Sequence, residues 1–188
     1  MLLKEIQNQW IKDIAVFLGF DNRNAIEFEK GCISIESFFY DALTVLLSVL
    51  EGWLFHQTVY ALLIIMLFSL LHQFSGGYHA KTHAQCIDLW MIFFTVCQLY
   101  IKFIHWPLAD MMLTILNSAL IYRYAPLVNP LQANDVSEIR KNRLSALYIC
   151  TVYDIAFLAC FHMSRRFSVS IACALTLCGI LLAGGKES

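Results

Sequence analysis

Residues 58–74 read TVYALLIIMLFSLLHQF, an apolar run with no acid, lysine or arginine. As a helix it rises about 25 Å, near the lower limit for crossing the hydrocarbon of a bilayer. Inside lipid every backbone polar group must be paired within the segment, so a run of this kind is read as a spanning helix. Five further apolar runs lie around it, at Phe38 to Phe55, Ile87 to Ile104, Leu108 to Tyr124, Ala146 to Phe161 and Phe167 to Ala183. Hydrophobic residues make up 59% of the 188 and charged residues 14%, an apolar excess over soluble domains, which run at about 45 to 50%. The expected fold is all-α: a polytopic membrane helical bundle of six transmembrane helices in a single integral membrane domain, 1–188. The weakest runs are the first, with Asp41 and Glu51, and the fifth, which is short and holds Asp154; discounting weak members leaves four or five spans. Carboxylates within spans are costly, so these are expected to face the bundle or lie near its ends.

Before the first run, Leu3, Ile6, Trp10, Ile14 and Phe17 or Leu18 recur every three or four residues, with Lys4, Glu5, Gln9, Lys12 and Asp13 between them. Segment 1–30 is therefore expected to hold an amphipathic interfacial helix on the cytoplasmic face, or one covering the mouth of the bundle. It lacks the charged-then-apolar order of a cleavable signal. Segment 125–145 reads as a cytoplasmic loop, non-helical at Pro126, Asn129, Pro130, Asn134 and Asp135, in which Ser137 and the basic cluster Arg140-Lys141-Asn142-Arg143 lead into the next helix. That cluster serves as a topology anchor or as a contact for an anionic segment or headgroup.

With six spans and both termini inside, Lys4, Lys12, Arg23, Lys30, Lys81, Arg123, Arg140, Lys141, Arg143 and Lys186 fall on one side, and Lys102, Arg165 and Arg166 on the other. Ten against three places the larger group in the cytoplasm. Arg165-Arg166 is the discordant pair. Trp53, Trp90 and Trp106 lie near expected boundaries, where indole rings settle at the interface. A formal net charge of -1 provides no basic surface for nucleic acid.

Chemistry concentrates in residues 75–86, SGGYHAKTHAQC, expected to form a catalytic loop and helix start. Of the seven cysteines, Cys32, Cys97, Cys150, Cys160, Cys173 and Cys178 read as apolar packing groups, whereas Cys86 has His83, Gln85 and Asp88 for neighbours. A thiol that cleaves peptides needs an imidazole within reach to take its proton. On one straight helix His79 would stand about 10 Å from Cys86, too far for proton transfer unless the backbone bends. His83, three residues before Cys86, would be adjacent without a bend. Geometry leaves both open. Gly76 and Gly77 supply conformational freedom or a close backbone approach. Asp154 is a further polar candidate, or a hydrogen bond fastening two helices. Two other readings compete: a zinc-dependent membrane protease using His79, His83 and Cys86, and a transport or structural protein in which the insert is only a connection.

Gly77-Tyr78-His79-Ala80 followed by Cys86, between apolar spans, resembles the accessory gene regulator B family of membrane cysteine endopeptidases, as do Tyr124-Ala125-Pro126 and Asn129. The resemblance implies that His79 and Cys86 are the catalytic pair. It implies cleavage of a small amphipathic quorum-sensing propeptide through an acyl-thioester and assistance in closing a thiolactone ring. It also implies a homodimer in the lipid bilayer. No cofactor is expected. Many members carry arginines just before the glycines, where this chain has His72-Gln73, so a fixed charge gives way to a titratable and a neutral group. Supporting roles then fall to Gly76, Gly77, His72, Gln73, His83 and Asp154, and substrate contacts to Tyr78, Lys81, Arg140, Lys141 and Arg143. The Cys86 amide is a candidate oxyanion donor.

Overall fold

A computed structural model describes residues 2–19, 25–77, 82–104, 106–127 and 136–185, without the side chains of 2–8, 25–27 and 30. The described chain is helical throughout: α1 Leu2–Phe17, α2 Ala25–Leu54, α3 Thr58–Ser75, α4 His83–Phe103, α5 Pro107–Tyr124, α6 Val136–Met163 and α7 Arg165–Gly185. Five of these are long and apolar enough to cross a membrane: Gly31–Leu54 of α2, and α3, α4, α6 and α7. The chain is thus a polytopic α-helical membrane bundle. The fourth of the six expected spans, Leu108 to Tyr124, corresponds to α5, which is not among the five.

The chain divides into two compact units, Met1–Leu46 and Leu47–Ser188. In the first, α1 buries Ile11 and Ala15 against Ile35, with Ile14, Phe28 and Cys32 around them. Trp10, Phe17 and Leu18 of the expected apolar stripe are exposed instead. The packed face is centred on Ile11 and Ala15, one helical turn apart, and Trp10 and Phe17 stand on the neighbouring face. Residues 25–30, expected in the interfacial segment, belong to α2, which begins thirteen residues before the expected Phe38.

In the second unit α7 is the central helix. Of its apolar window 67% is buried, against 28% or less in the other four candidate spans. It packs on α3, α5 and α6 and more lightly on α4. Ser168, Ser170, Ala172, Ala174 and Gly179 are among its buried residues, and small side chains let neighbouring backbones approach. At Gly179 an added Cβ would strike the Asn117 side chain, so α5 and α7 meet there at close range.

The low apolarity of α5 has a structural cause. Asp110, Thr114, Asn117, Ser118 and Ile121 are its buried positions, a stripe at helical spacing turned inward. Asp110, fully buried, accepts from Tyr100 Oη of α4 at 2.7 Å and from Arg165 Nη2 of α7 at 3.1 Å. Asn117 donates to Thr176 Oγ1 of α7 at 3.0 Å, and Ser118 donates to Asp154 Oδ1 of α6 at 2.6 Å. Tyr122 and Thr151 share a hydrogen bond of 2.7 Å one turn further along. The paired positions increase together in α5 and α7 and oppositely in α5 and α6, so α5 runs parallel to α7 and antiparallel to α6. Asp154 is thus a bundle-facing fastener between two helices.

The cations segregate along the second unit. Lys102 donates to Phe55 O, Arg165 pairs with Asp110, and Arg166 lies over the Tyr60 ring, all at the end where α3, α5 and α7 begin. Arg123 closes α5 and Arg140, Lys141 and Arg143 lie in the first turns of α6, at the opposite end. The discordant pair stays together at this end, Arg165 held by the buried Asp110 carboxylate and Arg166 over the Tyr60 ring. α6 starts at Val136, beside the helix start expected at Ser137, and residues 136–145 lead into its apolar run. Their polar side chains end the hydropathy signal without ending the helix. Trp90 also departs from expectation: it is half-buried, stacks near Phe94 and donates Nε1 to Ser48 Oγ at 2.8 Å, a packing role instead of an interfacial one.

Removing Arg165 leaves the Asp110 carboxylate buried without its cation. Arg165→Leu should destabilise the detergent-solubilised protein by roughly 3 kcal/mol, the low end for breaking a buried pair because the guanidinium side chain is 29% exposed. Adding Asp110→Asn, which keeps an oxygen for Tyr100, should recover most of the loss. Thermal unfolding followed with a thiol-reactive dye reads both variants through the buried cysteines; a double variant no better than the single would contradict the pairing.

Candidate functional site

The site is assembled where α3, α5 and α7 end and α4 begins. α3 terminates at Ser75, and Gly76 donates its N–H to His72 O at 2.9 Å. Gly76 has φ 64° and ψ -165°, a combination open essentially to glycine alone. Space imposes the same choice, because a Cβ there would strike the Leu127 carbonyl oxygen. Leu127 in turn donates its N–H to Ser75 O at 2.8 Å, so the segment leaving α5 is stitched to the end of α3. At Gly77 a Cβ would lie 2.9 Å from His72 Cε1 and 3.0 Å from Leu181 Cβ of α7. These are side chains that can shift, so Gly77 is the less constrained of the two. His72 stacks on Phe68 with ring centroids 4.9 Å apart, and Gln73 is exposed.

On the other side of the connection, Thr82 is the N-cap of α4, and its hydroxyl accepts from Gln85 N at 3.3 Å. Thr82-His83-Ala84-Gln85 is the Thr-x-x-Gln signature of a helix start, a signal present in the sequence but not used above. Cys86 therefore stands in the first turn of α4, and its N–H donates to Thr82 O at 3.1 Å. That bond engages the amide expected to serve as an oxyanion donor, which must be released before it can act. His83 and Cys86 are three residues apart on this turn, and both are exposed. Helix N-termini favour negative charge, so the position suits a sulfur that becomes anionic.

All seven cysteines are free. Cys97, Cys150, Cys173 and Cys178 are buried, Cys32 and Cys160 are half-buried, and Cys86 is exposed. Tyr78, His79 and Lys81 lie outside the described residues. Among those described, the structure brings His72, Gly76, Gly77 and Leu127 together at the end of α3, and sets His83 beside Cys86 on α4. Arg140, Lys141 and Arg143 are exposed on the first turns of α6, while Asp154 lies deeper, between α5 and α6. Among the described residues no group of three His, Cys, Asp or Glu side chains is placed to hold a metal ion; the zinc alternative also needs His79, outside that set. Sequence reasoning missed Thr82, Ser75 and Leu127, and it missed the Tyr100, Asp110 and Arg165 network.

A glycine-capped helix end, an exposed thiol on the opening turn of the next helix and five apolar spans define a multi-pass membrane protein with a candidate thiol site. The Accessory gene regulator B family profile matches residues 21–182, most of the chain, and the protein belongs to that family. Its members are implicated in processing quorum-sensing propeptides. No curated protein and no solved structure matches.

The two glycines are not equivalent. Gly76→Ala should cost about 1 to 3 kcal/mol from the forbidden dihedral alone, before the clash with Leu127 is counted. Gly77→Ala should cost clearly less. Hydrogen exchange at the Leu127 amide reads the effect where it arises, with faster exchange in Gly76→Ala; equal rates in both variants would contradict the assignment.

Proposed function

We propose that the protein is a cysteine endopeptidase that cleaves a small amphipathic signal propeptide at the cytoplasmic membrane face. One observation carries the reading: of seven free thiols, the exposed one is Cys86, on the opening turn of α4 beside the family's glycine-histidine segment. His79 takes the proton of the Cys86 thiol, and the thiolate so formed attacks the scissile carbonyl carbon. As the tetrahedral species collapses, the C–N bond breaks and His79 returns the proton to the leaving amine, which leaves an acyl-thioester on Cys86. The thiol of a cysteine within the peptide then gives its proton to His79 and attacks the thioester carbonyl. Its own C–S bond forms while the bond to Cys86 breaks, Cys86 leaves as thiolate, and the product is a thiolactone. Limiting water at the thioester favours ring closure over hydrolysis.

His79 is chosen over His83 by family resemblance. α4 begins only at His83, so the 10 Å rise of a continuous helix does not constrain His79. His83, one turn from Cys86, is the supporting residue, with Gly76 shaping the exit from α3 and His72-Gln73 replacing the arginines of relatives. Tyr78, Lys81 and the basic face of Arg140, Lys141 and Arg143 contact the peptide, the last three attracting an acidic segment. α5 completes the six spans, since its hydrogen bonds to α6 and α7 occur from Asp110 through Tyr122. Six crossings and the concentration of cations at the Cys86 end put that end inside. The protein works as a homodimer in the bilayer.

In cells that co-express an amphipathic propeptide with an internal cysteine and an acidic tail, Cys86→Ala and His79→Ala should each abolish cleavage without loss of membrane insertion. His83→Ala should reduce it by about tenfold or less. Cleavage by Cys86→Ala would end the mechanism, and loss with His83→Ala but not His79→Ala would reassign the base. For topology, an impermeant maleimide should miss a cysteine placed at Lys81 in a cysteine-free background until the cells are permeabilised, and should label one at Ser164 from outside. Labelling of the Lys81 site on intact cells would reverse the orientation.

A further inference from the structure

At the end of the second unit opposite Cys86, three polar side chains are buried without the partners their chemistry requires. Glu51 near the end of α2, Gln57 at the cap of α3 and Gln98 on α4 are 9%, 5% and 0% exposed. Both Glu51 carboxylate oxygens, Gln57 Oε1, and Gln98 Oε1 and Nε2 have no hydrogen-bond partner among the described residues. The groups are neighbours. Gln57 donates Nε2 to Gln98 O at 3.2 Å and its backbone N–H to the carbonyl of Gly52, next to Glu51, at 2.7 Å. Glu51 lies beside Thr95, one turn before Gln98 on the same face of α4. The Thr95 hydroxyl is committed to Met91 O at 2.8 Å, so it does not satisfy the carboxylate.

Leaving one such group bare in a protein interior costs on the order of 1 to 3 kcal/mol, and a bare carboxylate costs more. Four of the five unpartnered atoms are oxygens, an acceptor-rich set. We propose that Glu51, Gln57 and Gln98 form a binding site for an alkali-metal cation of the sodium class.

Three features select that occupant. The donors are a carboxylate and amide oxygens with no sulfur or imidazole, the hard set that takes alkali and alkaline-earth ions over transition metals. The single carboxylate balances one positive charge, whereas a divalent ion would leave net charge in a low-dielectric site. A proton on Glu51 would satisfy one carboxylate oxygen alone; a cation can also take the amide oxygens of Gln57 and Gln98 as ligands, with the Gln98 Nε2 donor left to water. The nearest cation along α4, Lys102, does not fill this role. It is exposed, donates to Phe55 O at 3.4 Å and rests over the Phe55 ring at 5.5 Å.

The site is tested on the full-length protein purified in detergent, with the ion itself as probe. Radiolabelled sodium should bind at about one ion per chain, and Glu51→Gln, close in shape but uncharged, should weaken binding by more than roughly tenfold. Gln98→Leu should weaken it as well. The unfolding midpoint of the wild type should be higher in sodium chloride than in choline chloride at equal ionic strength, and Glu51→Gln should show no such difference. Size-exclusion elution and helical circular dichroism confirm that each variant is folded, and Gln57→Leu replaces any that is not. Wild-type protein that retains no sodium, binding unchanged in folded Glu51→Gln, or a midpoint indifferent to the cation but raised by acid would each overturn the proposal, the last in favour of a protonated carboxyl.

Discussion

A polar helix face packed inside an apolar bundle has no water to turn to, and α5 carries such a face from Asp110 to Ser118. The bundle answers by facing it inward, where Tyr100, Arg165, Thr176 and Asp154 on three other helices meet it. These bonds fix the axial register of α5 against α7, because the stripe fits its partners at one height only. Register then determines the far end. The chain leaving α5 brings Leu127 against Ser75 and Gly76, and α7 brings Leu181 against Gly77. The connection that leads to Cys86 therefore starts from a point set by a hydrogen-bond network several turns away. A buried pair of this type contributes little net stability compared with apolar packing; its value lies in specifying one arrangement.

Legibility in the sequence followed chemistry that is local. The bounds of α3 and α5 were readable to within a residue or so because apolar runs end where helices end. α2 was read short, since Glu27, Glu29 and Lys30 stay helical after hydropathy has failed, whereas in α6 Ser137 and the basic cluster marked a helix start well before the apolar run at Ala146. Thr82 and Gln85 mark the start of α4 at capping distance, a local signal that was available. The inward stripe of α5 was visible as spacing, but its partners were not: Arg165 is 55 positions from Asp110, and nothing local assigns one to the other. For that reason the sequence showed Arg165 as a charge without showing its carboxylate.

The candidate site was legible for a different reason. Cys86 stood apart from six other cysteines by its polar neighbours, and the structure separates it by exposure and by its place on the opening turn of α4. The histidine proposed to activate it was not decidable from spacing, because proton transfer depends on a backbone path that residue counting does not describe. Family resemblance supplied His79. The engaged amide of Cys86 shows a further limit, since hydrogen-bond donors for an oxyanion come from helix geometry and not from residue type.

Alkylation kinetics test the central claim, that Cys86 is an activated nucleophile and not merely an accessible thiol. Iodoacetamide is applied to the detergent-solubilised protein between about pH 6 and pH 8, and the modified peptides are quantified by mass spectrometry over time, in the wild type and in His79→Ala. The account predicts that Cys86 reacts first, roughly tenfold or more ahead of half-buried Cys32, and that the advantage falls in His79→Ala, since nucleophilic thiols are set by thiolate content as well as access. Comparable rates at Cys32 and Cys86, unmoved by the histidine change, would contradict it.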